Sequence, residues 1–141
     1  MATSSPAPST PQIVTVAIIG AGFGGLGTAV ALKEQGIDDF VLFERAEDVG
    51  GTWQANTYPG AQCDIPSILY SFSFAPNPDW SRLYPLQPEI QAYLRTVAER
   101  FQIIPHIRFG HEVTDATWND DTTQLGPGRV MDRRPLSTTR Q

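Results

Sequence analysis

Gly20, Gly22 and Gly25 stand in the run Gly-Ala-Gly-Phe-Gly-Gly and match the spacing G-x-G-x-x-G. Each glycine has its own role. The first permits a tight turn, the second lets the backbone approach a pyrophosphate, and the third lets helix and strand pack closely. The run, with Phe23 and Gly24 inside it, opens a helix whose free N–H groups and positive dipole end converge on an anion. Glu44 follows Gly20 by 24 residues, near the separation at which a carboxylate accepts hydrogen bonds from ribose hydroxyls. Such a carboxylate repels a 2′-phosphate, so the pattern suits FAD or NAD and not NADP. The bland alternative is a glycine-rich turn with an ordinary surface glutamate; the order strand, turn, helix, strand, acid weighs against it.

The elements that must position these residues are legible nearby. Ile13 to Ile19 (IVTVAII) is short, apolar and β-branched, which predicts a central parallel strand buried on both faces. Leu26, Ala29, Val30 and Leu32 fall at helical spacing, and Gly36 caps that helix before Asp38 and Asp39 turn the chain. Phe40 to Phe43 (FVLF) reads as a second buried strand ending at Glu44, completing a βαβ unit with a right-handed crossover. Residues 46 to 85 are rich in Gly, Pro, Asn and Ser and lack any sustained period; so long an irregular segment in a compact domain is usually functional. Pro88 and Glu89 open a second helix with Ile90, Leu94, Val97, Ala98 and Phe101 on one face. Phe109 to Trp118 reads as one or two further strands. The expected fold class is therefore α/β, a Rossmann-like domain with a parallel sheet over residues 13–118. A disordered arm precedes it at 1–12 and a disordered tail follows at 119–141, because both segments have too little apolar surface to bury.

Composition narrows the classes of partner. A chain of 141 residues has room for about one domain. Its net charge of -5 argues against nucleic acid or an anionic membrane as the main partner. The single cysteine, Cys63, excludes an intrachain disulfide and a multi-cysteine zinc site. A reducing compartment, and hence the cytoplasm, is the expected location. No charge occurs from Met1 to Leu32, yet a basic leader region is lacking, the first dozen residues are rich in Ser, Thr and Pro, and glycines interrupt the apolar stretch, so neither a signal peptide nor a membrane span is expected.

Further motifs occupy the irregular stretch: Gly50-Gly-Thr-Trp53, Tyr58-Pro-Gly-Ala-Gln-Cys-Asp64, Tyr70-Ser-Phe-Ser-Phe74 and Gln87-Pro-Glu-Ile90. With GAGFGG and Phe43-Glu-Arg45, this ordered series resembles the flavin-containing monooxygenases, and among them the Baeyer–Villiger monooxygenases acting on cyclic ketones and 4-hydroxyacetophenone. The resemblance spans about residues 14–118 and is far more specific than the glycine pattern alone. It implies an FAD that is reduced by NADPH, captures O2 and inserts one oxygen atom beside a ketone carbonyl, with the protein positioning and protecting the flavin. Carried over by position, Gly20, Gly22, Gly24 and Gly25 face the diphosphate, and Phe23 and Glu44 the adenosine side. Gly51, Thr52 and Trp53 meet the isoalloxazine edge, while Tyr70 and Val113 complete the cleft.

The resemblance also marks Asp64 as the candidate catalytic residue, beside flavin and nicotinamide, where a carboxylate can tune an arginine by charge proximity. Its alternative is a turn residue capping Ser67. Cys63 lacks an evident base and reads as a small buried filler. His106 and His111 have no partner at ligand spacing and read as structural or surface residues, so no metal site is expected. Phe74, Trp80 and Tyr84 can line a substrate path, but loop aromatics more often pack beneath the loop.

Departures from the family are equally visible. No second G-x-G-x-x-G follows residue 27, and the histidine- and tryptophan-centred signature that the family carries between its two dinucleotide domains is lacking. The chain alone is therefore expected not to be a competent monooxygenase. The break at Gln124-Leu-Gly-Pro-Gly-Arg129 leads to the expectation of a frameshift, since a CTG-GGN codon pair for Leu-Gly contains TGG, tryptophan, in another frame. An N- or S-oxidising flavin monooxygenase, or a non-catalytic FAD-binding remnant, are the competing functional readings.

Overall fold

The computed structural model describes residues 13–126 and 128–132; the arm expected to be disordered at 1–12 lies outside them. Strands β1 (Val16–Ile19), β2 (Phe40–Glu44) and β3 (Ile107–Phe109) form a parallel sheet in the order β1-β2-β3. Helix α1 (Phe23–Glu34) links the first two strands, and α3 (Gln87–Arg100) precedes the third. Between them lie the four-residue helix α2 (Thr52–Ala55), a 3-10 turn at Ser67–Leu69, and otherwise irregular chain.

The first crossover is built as its sequence predicts. Asp39 accepts hydrogen bonds from both the N–H and the hydroxyl of Thr15, tying the start of β1 to the start of β2. After α1, Gly36 N–H donates to Lys33 and Ile37 N–H to Leu32, the paired bonds of a Schellman cap. α3 starts with Pro88 in its first turn, where the missing N–H costs nothing. Glu89 there accepts from the N–H and the hydroxyl of Ser81 and anchors the preceding loop.

Leu26, Ala29 and Val30 of α1 and Ile90, Leu94, Val97 and Ala98 of α3 meet Ile18, Phe40, Leu42 and Ile107 of the sheet in one core. Each of the fully buried Leu and Ile side chains contributes about 1.5–3 kcal/mol relative to an exposed one. Tyr93 of α3 fastens the aromatic loop beneath it, its hydroxyl accepting from Phe72 N–H and donating to the Ala75 carbonyl, each at 2.8 Å.

Among the described residues the first strand, expected to be central and buried on both faces, is an edge of the three-stranded sheet, with Ala17 exposed and Ile19 67 % exposed. The core lies on the face carrying Ile18, Phe40 and Leu42, so alternate residues of β1 point away from it. The segment beyond Asn119, expected to be disordered, is drawn into strands as far as residue 132. β5 (Trp118–Asn119) pairs with β6 (Gln124–Leu125), and β4 (His111–Asp115) pairs antiparallel with β7 (Arg129–Asp132). Every residue of β6 and β7 is exposed; backbone pairing holds them, and a reading based on apolar burial is blind to that. Residues 133–141 lie outside the described part. Among the described residues no helix is long and apolar enough to cross a membrane.

Candidate functional site: a groove at the first crossover

At the C-terminal end of β1 the chain turns through Gly20, whose N–H donates to the Phe43 carbonyl of β2. Gly22 caps α1 with no side-chain hydrogen bond, and no acidic residue stands in the first helical turn. The N–H groups from Gly22 to Gly25 lack intrahelical acceptors, since the ladder starts with Leu26 N–H donating to Gly22. Uncompensated donors at the positive end of a 12-residue helix suit a diphosphate.

Gly25 secures the geometry. A Cβ placed there would lie 1.8 Å from the Gly20 carbonyl oxygen, a position no side chain can take. A second crossing is one that the sequence did not announce. Gly51 has a φ of +55°, and a Cβ on it would stand 3.0 Å from the Gly22 Cα. Gly50 N–H donates to the Ala21 carbonyl at 3.0 Å. Gly50-Gly51 and Ala21-Gly22 are thus pressed together, backbone on backbone.

Glu44 is only 7 % exposed. Its Oε2 accepts from Ala21 N–H and its Oε1 from Ala46 N–H, both at 2.8 Å. The carboxylate therefore braces the glycine turn as well as facing the groove, and each oxygen retains capacity to accept another donor. The groove measures about 550 Å³, and its lining includes Gly20, Gly22, Glu44, Gly51, Thr52 and Val113. Arg45, His111 and Glu112 also border it. His111, read from the sequence as bland, is thereby a groove residue; its Nδ1 lies 2.7 Å from the Phe109 carbonyl, which leaves Nε2 as the acceptor in the neutral ring. Its place next to Val113 on β4 was the available signal.

The remaining predicted residues gather separately. The Trp53 indole N–H donates to the Tyr70 hydroxyl at 3.0 Å, and the rings meet edge to face. Phe23 packs 5.0 Å from both Tyr70 and Phe72. The first side chain of α1 thus points into the aromatic loop. Tyr70 is part of this aromatic set.

Asp64 is exposed. The Ser67 N–H that it was an alternative candidate to cap donates instead to the Leu83 carbonyl at 2.7 Å. Asp64 acts electrostatically on Tyr70, whose phenol is raised above its ordinary value of 10.0, first by burial and then by the nearby Cys63 and Asp64. Burial likewise raises Tyr93. The unfolded chain releases these protons more readily, so the stability they contribute is complete below pH ~10 and fades as pH rises through the folded values. A spectrophotometric alkaline titration should show two of the four tyrosines ionising late, together with loss of fold; four equal, early titrations would contradict this placement.

The other candidates are structural. Cys63 is buried. His106 stacks on Phe40 at 4.2 Å. Phe74 stacks on Phe72, and Trp80 packs on Tyr93 while its indole N–H donates to Ser71. Among the described residues no cluster of His, Cys, Asp or Glu can hold a metal. A second hollow of about 680 Å³ lies by Lys33, Asp48, Arg95 and His106, but Lys33 pairs with Asp38 and Arg95 with Asp48, and no glycine turn faces it.

Comparison with known proteins agrees with this geometry. Residues 18–85 match the family model for an NAD(P)-binding Rossmann-like domain. A Baeyer-Villiger monooxygenase of Streptomyces coelicolor is 59 % identical over 112 residues, covering 79 % of this chain and 21 % of that protein. Over most of its length the chain is similar to part of a Baeyer–Villiger monooxygenase. A solved steroid monooxygenase, oxidised and bound to NADP, superimposes with a TM-score of 0.78 at 41 % identity over 83 % of this chain and 23 % of that one. The structure called OTEMO, in complex with FAD and NADP, gives a TM-score of 0.77 at 29 % identity over 93 % of this chain and 24 % of that one. The chain thus spans between a fifth and a quarter of the length of these proteins.

Proposed function

We propose that this chain is the FAD-binding portion, on the N-terminal side, of a flavin monooxygenase that uses NADPH and O2 to insert an oxygen atom into ketones. One observation carries the reading: the uncapped first turn of α1 and the carboxylate of Glu44 open onto the same groove. The free amides of Gly22, Phe23, Gly24 and Gly25 bind the diphosphate, and Glu44 accepts from a ribose hydroxyl while its bonds to Ala21 and Ala46 keep it oriented. Gly51, Thr52 and Val113 bound the cofactor further along. Phe23, Trp53 and Tyr70 form an aromatic wall that excludes water on the flavin side. Asp64, which acts electrostatically on Tyr70, would bias a cationic group brought near it toward its charged form. Bound FAD supplies the chemistry of accepting hydride and reacting with oxygen. The ketone specificity is supported by the name of the Streptomyces relative.

Residues 13–118 constitute the binding part in this reading. The chain by itself is expected to hold FAD. Titrating purified chain with FAD, followed by quenching of flavin fluorescence, should show saturable one-to-one binding. An unchanged flavin signal with folded protein would refute the assignment.

A further inference from the structure

Three polar side chains of α3 remain unused by the core. Gln87, Gln91 and Arg95 recur every four residues and so share one face of the helix. Gln87 is only 6 % exposed. Its side-chain amide donates to the Trp53 carbonyl and, at 3.1 Å, to Gln91 Oε1. Gln91 donates in turn to Asp48 Oδ2 at 3.4 Å and to the Val49 carbonyl at 3.5 Å. Arg95 completes the series with an ion pair to Asp48. Apart from Gln91 itself, these partners lie on residues 48 to 53, the segment containing Gly51 and Thr52.

That segment is held from both sides. A Cβ on Gly50 would stand 3.3 Å from Gln91 Cγ, and one on Gly51 would stand 3.0 Å from Gly22 Cα. The loop is thus sandwiched between the polar face of α3 and the glycine turn of α1. Gln87 also ties in the neighbouring loop, because its backbone N–H donates to the Ala61 carbonyl at 2.9 Å.

We infer that Gln87, Gln91 and Arg95 are positioning residues: they press the Gly50–Trp53 loop onto the Gly20–Gly25 turn and so set the width of the dinucleotide groove without touching its occupant. The consequence for FAD rests on the function proposed above; the clamp itself does not. Contribution falls along the series. The buried Gln87 leaves an unpaired carbonyl when removed, whereas the half-exposed Arg95 pair is screened by solvent.

The test is Gln87→Leu, backed by the milder Gln91→Met, with Thr96→Ala on the exposed face of α3 as a control. Amide hydrogen exchange across the full chain and FAD titration are measured on each. Gln87→Leu should accelerate exchange over residues 48–55 while the sheet stays protected, and should weaken FAD binding roughly tenfold; Gln91→Met should do the same more weakly. Exchange that is unchanged in both variants, or raised equally throughout the molecule in Gln91→Met, overturns the clamp. If the parent chain binds no FAD, the functional proposal falls, and the exchange pattern still decides the clamp. Local exchange without any change in FAD affinity would overturn the setting of groove width.

Discussion

A Gly25→Ala chain should lose both its groove and much of its stability. The new Cβ would lie 1.8 Å from the Gly20 carbonyl oxygen and 2.9 Å from its carbon, and these are backbone atoms that no rotamer change can move aside. Added methylenes in packed cores cost about 1–3 kcal/mol when side chains can adjust. Here β1, the turn and α1 must separate, so the cost should be about 3 kcal/mol or more. For a domain of this size that is a fall in Tm of more than about 12 °C, with FAD binding abolished. Gly24→Ala is the internal control, because a Cβ there meets nothing within 4 Å and Ala is the better helix former. Equal melting temperatures for the two variants would dismiss the close-packing role assigned to Gly25.

The second large effect is expected at Glu44. Glu44→Leu removes the acceptor for the N–H groups of both Ala21 and Ala46. The buried Ala21 donor left unpaired costs about 1–3 kcal/mol and the half-buried Ala46 donor, which water can reach, less, so the loss should total about 2–4 kcal/mol. The ribose contact disappears at the same time. Glu44→Gln separates the two functions: one amide oxygen can still serve Ala21 or Ala46, while the NH2 group confronts the other donor. It should therefore fall between the parent and Glu44→Leu in chemical denaturation, and still bind FAD weakly. A Glu44→Leu chain that melts like the parent would show that the carboxylate does not brace the turn. One that destabilises but binds FAD undiminished would confine Glu44 to structure.

Much of the fold was legible because its signals are local. The alternation of apolar runs with GAGFGG, the Gly36 cap and the Pro88-Glu89 helix start each depend on a few adjacent residues. The aromatic loops were harder. Trp53 and Tyr70 could be singled out by resemblance, but their hydrogen bond to one another, and the turning of Phe23 toward them, depend on side-chain packing among residues far apart in sequence. β7 was missed for a different reason: its four residues bury nothing, and its partner on β4 is recognised through backbone groups that every sequence carries.

The amino-acid sequence by itself determined the chemistry on offer: amides freed of side chains by glycines, an acid at the end of the next strand, and an aromatic-rich irregular segment. These follow from backbone permissiveness and from the strand and helix periods, which act within a dozen positions. Tertiary structure alone decided that Gly51 crosses Gly22, that Glu44 commits two bonds to the turn it faces, and that a helix starting at Gln87 reaches back to carbonyls and carboxylates at 48 to 53. The physical reason is that close approach between distant segments is set by the shape left after the core has packed, a property of the assembled chain and of no single stretch within it.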